Sequence, residues 1–247
     1  MTTPRVSIIV PCYDEGESVV DALTRLLTAV TVPCEVLAVY DTAEDSTAAP
    51  VAALAARDAR VFGVLNTYGR GPAKAIRFGI DVARAPVVVV TMADSSDDPS
   101  QIEQLVALVE RGAVVAAASR YMSGGRQVGG PLLKKLMSRT AGLTLYAFAR
   151  VGVHDATNSF KAYDARFLQD VGIDSTAGFE IGLELVAKAR RYRRPVAEIP
   201  TVWQDRTNGA SNFQLRRWLG AYLRWYVYAY GPALQERQTH SSQVAHV

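Results

Sequence analysis

Val87-Val88-Val89-Val90-Thr91-Met92-Ala93-Asp94 is a strand-like run that ends in a carboxylate, and Ser95-Ser96-Asp97-Asp98-Pro99 follows it. Four consecutive valines predict a strand buried on both faces, as in a parallel sheet covered by helices. A carboxylate at the end of such a strand is costly to place unless it binds something. In open α/β sheets, ligands bind outside the carboxyl ends of the strands. A metal-bound diphosphate is one ligand that seeks carboxylates there, because hard cations take oxygen ligands. Asp94 is the first candidate for such contact, with Asp97 or Asp98 beside it; the competing role for Asp97 and Asp98 is to favour the N-terminus of the next helix. Cysteine and histidine chemistry is poorly supplied. Cys12 and Cys34 sit in or beside apolar stretches without CxxC spacing, and two of the three histidines lie in the C-terminal tail. Buried free thiols and no zinc site of the usual ligand set are expected.

The elements that must position these residues alternate. Strands are predicted at Val6–Pro11, Glu35–Tyr40, Val61–Leu65, Pro86–Thr91 and Val114–Ala118. Between them fall helical patterns at Val19–Ala29, from Asp45-Ser46-Thr47 to about Arg57, at Ala73–Ala83 and at Ser100–Arg111. This rhythm predicts a doubly wound, mainly parallel α/β sheet. The second half reads differently. Gly124-Gly125 and Gly129-Gly130-Pro131 frame a flexible loop, and Leu132–Ala149 reads as a long amphipathic helix. Asp155–Tyr163 reads as an irregular polar segment. A helix over Phe179–Arg191, a strand over Val196–Trp203, a loop over Thr207–Asn212 and an aromatic, basic helix over Phe213–Tyr230 follow.

The chain of 247 residues, 49% of them hydrophobic, suffices for one large α/β domain with a tail. A net charge of +3 from 27 basic and 24 acidic residues does not argue for nucleic acid. The N-terminus leads straight into a strand without a signal-peptide pattern, and no stretch has eighteen apolar residues in a row. In the last helix Leu215, Trp218, Leu219, Tyr222, Trp225, Tyr226 and Ala229 share a face, with Arg216, Arg217 and Arg224 off it. That pattern suits a lipid headgroup region or, alternatively, a core or dimer contact.

Ordered motifs over about residues 5–215 resemble family 2 glycosyltransferases of the glycosyltransferase-A fold. The branch they resemble most includes dolichyl-phosphate mannosyltransferase and bacterial polyprenyl-phosphate glycosyltransferases. Val6 to Glu15 resembles the family's strand and Pro-x-Tyr-Asn-Glu turn, with Asp14 in the Asn position. The resemblance implies that Pro11, Tyr13 and Glu15 cradle the base and ribose of a sugar nucleotide. Tyr40-Asp41 stands where the family has two acids, so Asp41 takes the base or ribose role and Asp45 that of an N-cap. Gly69-Arg70-Gly71 resembles the Gly-x-Gly turn before a helix, where Gly71 and Lys74 would meet phosphate.

Met92-Ala93-Asp94 aligns with the family's Asp-x-Asp, which holds Mg²⁺ or Mn²⁺ against the diphosphate; the first Asp is missing here. Ser119-Arg120-Tyr121 supplies an arginine fork for phosphate, and Lys134 on the next helix is a second candidate there. Asp155-Ala156-Thr157-Asn158-Ser159-Phe160-Lys161 resembles the acceptor and sugar side, with Asp155 orienting the acceptor, holding a sugar hydroxyl, or serving as base toward a hydroxyl. His154 is expected to be structural, and Glu180 either meets sugar hydroxyls or caps a helix. Arg206 and Ser211 resemble the family's lid toward the diphosphate, in which Asn212 replaces a Lys.

The fold so implied is a single glycosyltransferase-A domain over 1–235, Rossmann-like, with a nucleotide-sugar-binding half at 5–120. An acceptor half at 121–212, an amphipathic helix at 213–230 and a disordered tail at 236–247 complete it. The function implied is inverting transfer from GDP-mannose or a UDP-sugar to a polyprenyl or dolichyl phosphate. Transfer to a hydroxyl acceptor and non-catalytic nucleotide-sugar binding are the alternatives. The expected location is the cytoplasm, with a peripheral position at the inner face of the membrane as the finer expectation.

Overall fold

The computed structural model describes residues 3–205 and 215–234. Strands β1 (Val6–Pro11), β2 (Cys34–Tyr40), β3 (Val61–Leu65), β4 (Val87–Val90), β5 (Val115–Ser119), β7 (Lys161–Asp164) and β8 (Val196–Pro200) form one seven-stranded sheet. Its order is β3-β2-β1-β4-β7-β5-β8, and every pairing is parallel except those of β7. Two short strands, β6 (Arg126–Val128) and β9 (Val202–Gln204), pair apart from it.

The pleat explains the valine run. Val87 and Val89 point into one core, Val88 and Val90 into the other. The first core is closed by α1 (Ser18–Ala29), α2 (Ala48–Ala55) and α4 (Ile102–Glu110). The second is closed by α3 (Pro72–Val82), α6 (Ala165–Val171), α7 (Ile181–Arg191) and α8 (Leu215–Ala229). Fully burying one such side chain contributes about 1.5–3 kcal/mol, so the strand is held from both sides.

The second half departs from the sequence reading in four places. The segment read as irregular at Asp155–Tyr163 ends in β7, which lies antiparallel between β4 and β5. The stretch between the glycine pairs is not a free loop, because its middle is β6. The late strand breaks at Pro200-Thr201: β8 extends the main sheet and β9 pairs β6. The helix expected over Leu132–Ala149 is α5 (Leu132–Thr144) followed by a π-helical turn at Leu145–Ala149.

Helix α8 decides between the two readings of its aromatic face. Trp218, Trp225 and Ala229 are buried against the domain, as a core contact requires, while Leu219 of the same set is exposed. Trp218 meets Phe179 edge-on at 5.7 Å, and the Lys188 ammonium lies 5.3 Å from the centre of the Trp225 ring. Gly178 makes this docking possible, since a Cβ there would land inside the Trp218 indole. Gly178→Ala is therefore expected to destabilise the fold by about 1–3 kcal/mol. Thermal unfolding with tryptophan fluorescence checks it; an unchanged midpoint and spectrum would mean that α8 is not seated there. Among the described residues no helix is long and apolar enough to cross a membrane.

Candidate functional site

Because β7 runs against its neighbours, it begins where they end. Lys161 pairs with Val90 of β4 and Ala117 of β5, so the loop before it emerges at the C-terminal edge of the parallel strands. Asp94, Arg120 and Asp155 follow, or precede, those three strands on the same edge. The topology, not sequence proximity, brings them together.

The turn after β1 is built from its neighbour's side chains. Asp45 accepts from the backbone N–H of Asp14 at 3.2 Å, Thr47 Oγ1 accepts from Glu15 N–H at 3.1 Å, and Ser46 Oγ accepts from Gly16 N–H at 3.2 Å. Asp14 sits at φ 51°, a left-handed conformation that Asp tolerates better than most residues. Pro11 is buried in the last register position of β1, and Tyr13 projects from the rim with 57% of its surface exposed. Glu15 is half-buried beside it. Asp45 was expected to cap α2. The N-cap position belongs instead to Thr47, and Asp45 ties the two turns together while accepting from Thr47 N–H at 2.8 Å.

Asp41 organises the glycine turn. Its carboxylate accepts from Asn66 Nδ2 at 2.8 Å and from Gly71 N–H at 2.7 Å. Asn66 also donates to the Gly69 carbonyl at 2.8 Å. Gly71, at φ 123°, delivers the chain into α3 with Pro72 as its first residue, a position where a missing N–H is harmless. Lys74 follows in the first turn. Sequence reading passed over Asn66 as a support of this loop; a polar residue just after a strand and three before a glycine was the available signal.

At the end of β4 the acids divide their work. Asp94 is half-buried and accepts from Ser96 N–H at 3.1 Å, with buried Ala93 before it. Asp97 is buried beneath the loop, where it accepts from Thr91 Oγ1 at 3.0 Å and Met92 N–H at 3.2 Å. Burial, and then the charge of Asp94, pushes Asp97 up to about 6. Asp98 accepts from Ser100 N–H at 3.0 Å and caps the short 3₁₀ turn before α4. Among the described residues there is no group of three His, Cys, Asp or Glu side chains that could hold a metal.

The residues expected on an acceptor side centre on a buried ion pair. Arg120 Nε–H donates to Asp155 Oδ2 at 2.6 Å and Nη2–H to Oδ1 at 3.0 Å, the bidentate fork that arginine makes with a carboxylate. Asp155 also accepts from the N–H groups of Arg120 and Asn158 at 3.2 and 3.1 Å and from Thr157 Oγ1 at 3.0 Å. Burial alone would raise Asp155, but the charge and hydrogen bonds of Arg120 hold it below the ordinary carboxylate range. Its partner Arg120 stays charged despite burial and stacks on Tyr121 at 5.0 Å. Lys134 is half-buried on α5, while Lys135 Nζ donates to the Gln127 carbonyl at 3.2 Å.

Two further expectations resolve locally. His154 stacks on Tyr146 at 3.7 Å and pairs with Glu198 at 2.5 Å, a structural role. Glu180 is buried and accepts from Ala177 and Gly178 N–H at 3.0 and 2.7 Å, just ahead of α7. Both carboxylate oxygens are spent on the backbone there. The sites expected at Arg206 and Ser211 lie outside the described residues.

Lys161 lies fully buried behind Asp155, donating to the carbonyls of Ala156 and, closely, Asn158. Burial draws its ammonium down to about 8 from 10.5, against the attraction of Asp155. The neutral amine keeps two N–H groups for those two carbonyls. A folded pKa below the unfolded one means that the unfolded chain binds more protons between the two values. Stability from this group is therefore expected to rise from about pH 8 to about pH 10.5, by up to about 3 kcal/mol. Urea unfolding of the wild type and Lys161→Met across that range checks it. Parallel curves for the two would contradict the assignment.

The chain matches the profile of "Glycosyl transferase family 2" over residues 7–172. It is 30% identical over 215 residues to polyprenol monophosphomannose synthase of Mycolicibacterium smegmatis, covering 85% of this chain and 81% of that one. It is 30% identical over 212 residues to undecaprenyl-phosphate mannosyltransferase of Micrococcus luteus, covering 84% and 86%. Dolichol-phosphate mannosyltransferase of Pyrococcus furiosus is 26% identical over 230 residues, covering 90% of this chain and 64% of that one. Among solved structures, glucosyl-3-phosphoglycerate synthase of Mycobacterium tuberculosis, crystallised with Mn²⁺, UDP-glucose and phosphoglyceric acid, superposes with a TM-score of 0.69 at 13% identity, covering 93% of this chain and 80% of that one. The fold is thus that of the glycosyltransferase-A enzymes, and the chain belongs to glycosyl transferase family 2 and is a glycosyltransferase.

Proposed function

We propose that the chain transfers a hexosyl group, with inversion, from a nucleoside diphosphate sugar to a polyprenyl phosphate at a membrane surface. The observation that carries this reading is the likeness, over most of both chains, to relatives named as polyprenyl-phosphate mannosyltransferases. Those names favour a mannosyl group; GDP-mannose is the donor of this reading, with UDP-sugars as the other class. Tyr13, Glu15 and Asp41 take the base and ribose, and Gly71 with Lys74 meets the diphosphate at the start of α3. Arg120 and Lys134 receive the acceptor phosphate.

The β4 end fits Mg²⁺ or Mn²⁺ in a limited way. Asp94 offers one hard oxygen ligand, the Met92 thioether is soft, and Asp97 is engaged with Thr91 and Met92. Such a set suits an ion that completes its shell with diphosphate oxygens and water. When bound, the ion would neutralise charge on the departing diphosphate.

In the transfer, a phosphate oxygen of the acceptor attacks the anomeric carbon opposite the leaving group. The bond from that carbon to the diphosphate oxygen breaks, and the nucleoside diphosphate keeps the electron pair. A phosphate monoester with second pKa near 6 is already largely dianionic at pH 7, so no base is needed. That agrees with Asp155, whose oxygens serve five hydrogen bonds and whose pKa is depressed. A carboxylate so engaged is a weak base toward a hydroxyl, and its role here is to position Arg120.

Calorimetric titration with UDP- and GDP-sugars, first with Mg²⁺ or Mn²⁺ and then with chelator, tests the donor half. One donor should bind tightly and lose affinity on chelation. Binding of none of them would overturn the reading.

A further inference from the structure

We propose that the outward faces of α5 and α8 form one docking surface that lies on an anionic bilayer beside the mouth of the site. This deepens the reading of a lipid-phosphate acceptor and rests on it. Helix α8 is apolar on two opposite sides. Its inner side is the buried Trp218–Trp225–Ala229 face, and its outer side carries Leu219, Leu223 and Val227, exposed at 46%, 56% and 61%. Their spacing of four places them in one stripe. On α5 and its π-turn, Leu132, Leu136 and Phe148 are 83%, 64% and 74% exposed.

The two helices meet. The Tyr226 hydroxyl donates to Thr144 Oγ1 at 3.0 Å, and that of Tyr230 to the Thr144 carbonyl at 3.4 Å. Midway along its length α5 touches the side proposed for the acceptor: Ser138 hydrogen-bonds the hydroxyl of Tyr121, the residue after Arg120. A row of uncovered apolar side chains therefore leads from the site to α8. Clustered exposure of this kind marks an interaction surface.

Charge selects the occupant. Neither residues 132–150 nor residues 215–229 contain a single Asp or Glu. Arg139 on α5, Arg150 just after its π-turn and Arg224 on α8 are exposed. Apolar side chains on segments that carry cations and no acids match the boundary between acyl chains and anionic headgroups. A second copy of the same face would set cation against cation, which disfavours self-pairing. With no membrane-spanning helix among the described residues, insertion is shallow and in the plane of the interface.

Co-sedimentation of the full chain with vesicles tests this, using phosphatidylglycerol or phosphatidylcholine and no polyprenyl phosphate. The wild type should partition onto phosphatidylglycerol, less onto phosphatidylcholine, and less at high salt. The triple variant Phe148→Ser, Leu223→Ser, Val227→Ser should lose at least about tenfold in partitioning while binding sugar nucleotide as the wild type does. A wild type that ignores both vesicles, equal binding to both lipids, or a variant that partitions like the wild type would overturn the proposal. So would light scattering that shows a wild-type dimer dissociated by the same substitutions. Because the vesicles hold no acceptor, failure of the lipid-phosphate reading would appear separately, as absent transfer with vesicle binding intact.

Discussion

Asp94→Ala is expected to lower sugar transfer on the order of 10³-fold and to weaken donor binding when Mg²⁺ or Mn²⁺ is present. The size follows from the surroundings. On the proposed reading Asp94 would be the hard ligand at the β4 end, because Met92 offers none and Asp97 beneath it is engaged by Thr91 and the backbone. The diphosphate gathers charge as the anomeric bond breaks, so losing the group that fixes its counter-ion is felt most in the transition state. Asp98→Ala is the matched control. It removes a cap on the turn before α4, which costs about 1 kcal/mol of stability, and turnover should stay near wild type. Steady-state kinetics of the two variants, with donor titrations, separate the roles; equal losses would mean that the acids act only on the loop.

The second large effect concerns the ion pair. Asp155→Ala should destabilise the fold by about 3–5 kcal/mol, because it leaves the Arg120 guanidinium buried without its partner. Asp155 is fully buried and the Arg120 side chain only 11% exposed, so little water can replace what is lost. Replacing both, as Arg120→Met with Asp155→Leu, should recover part of that stability, since the unpaired charge is gone while the N–H groups of Arg120 and Asn158 still lose their acceptor. Transfer should not recover, because the Arg120 charge proposed to meet the acceptor phosphate is gone. Arg120→Lys keeps the charge and loses the fork; its transfer should fall on the order of 10²-fold with a rise in KM for the acceptor. Denaturant unfolding and kinetics on this set check both halves. A double variant that transfers sugar at the wild-type rate would remove Arg120 from the site.

The first half of the fold was legible because its signals are local. Each buried strand reads as an apolar run, each turn carries its Asp or Gly, and the helices between show a period near 3.6. The other half depends on contacts that no local pattern states. Strand β7 contains Lys161 at a fully buried position, which breaks the apolar run, and its partners Val90 and Ala117 lie far away in sequence. Asp155 looks like an available acid until Arg120, 35 positions earlier, folds against it. In α8 both sides are apolar, so periodicity reveals the stripes but not which one the domain covers. The supports of the turns after β1 and β3, Asn66, Ser46 and Thr47, carry ordinary loop chemistry, and only the fold shows what they hold.

The most direct measurement is transfer itself: labelled GDP-mannose and a UDP-sugar panel incubated with the chain, Mg²⁺ or Mn²⁺, and a polyprenyl phosphate. Extraction into organic solvent and determination of the anomeric configuration would follow. The account predicts label in the lipid fraction with one donor, dependent on the polyprenyl phosphate, with inverted configuration at the anomeric carbon. Donor bound without transfer, or label that moves only to a hydroxyl acceptor, would contradict it.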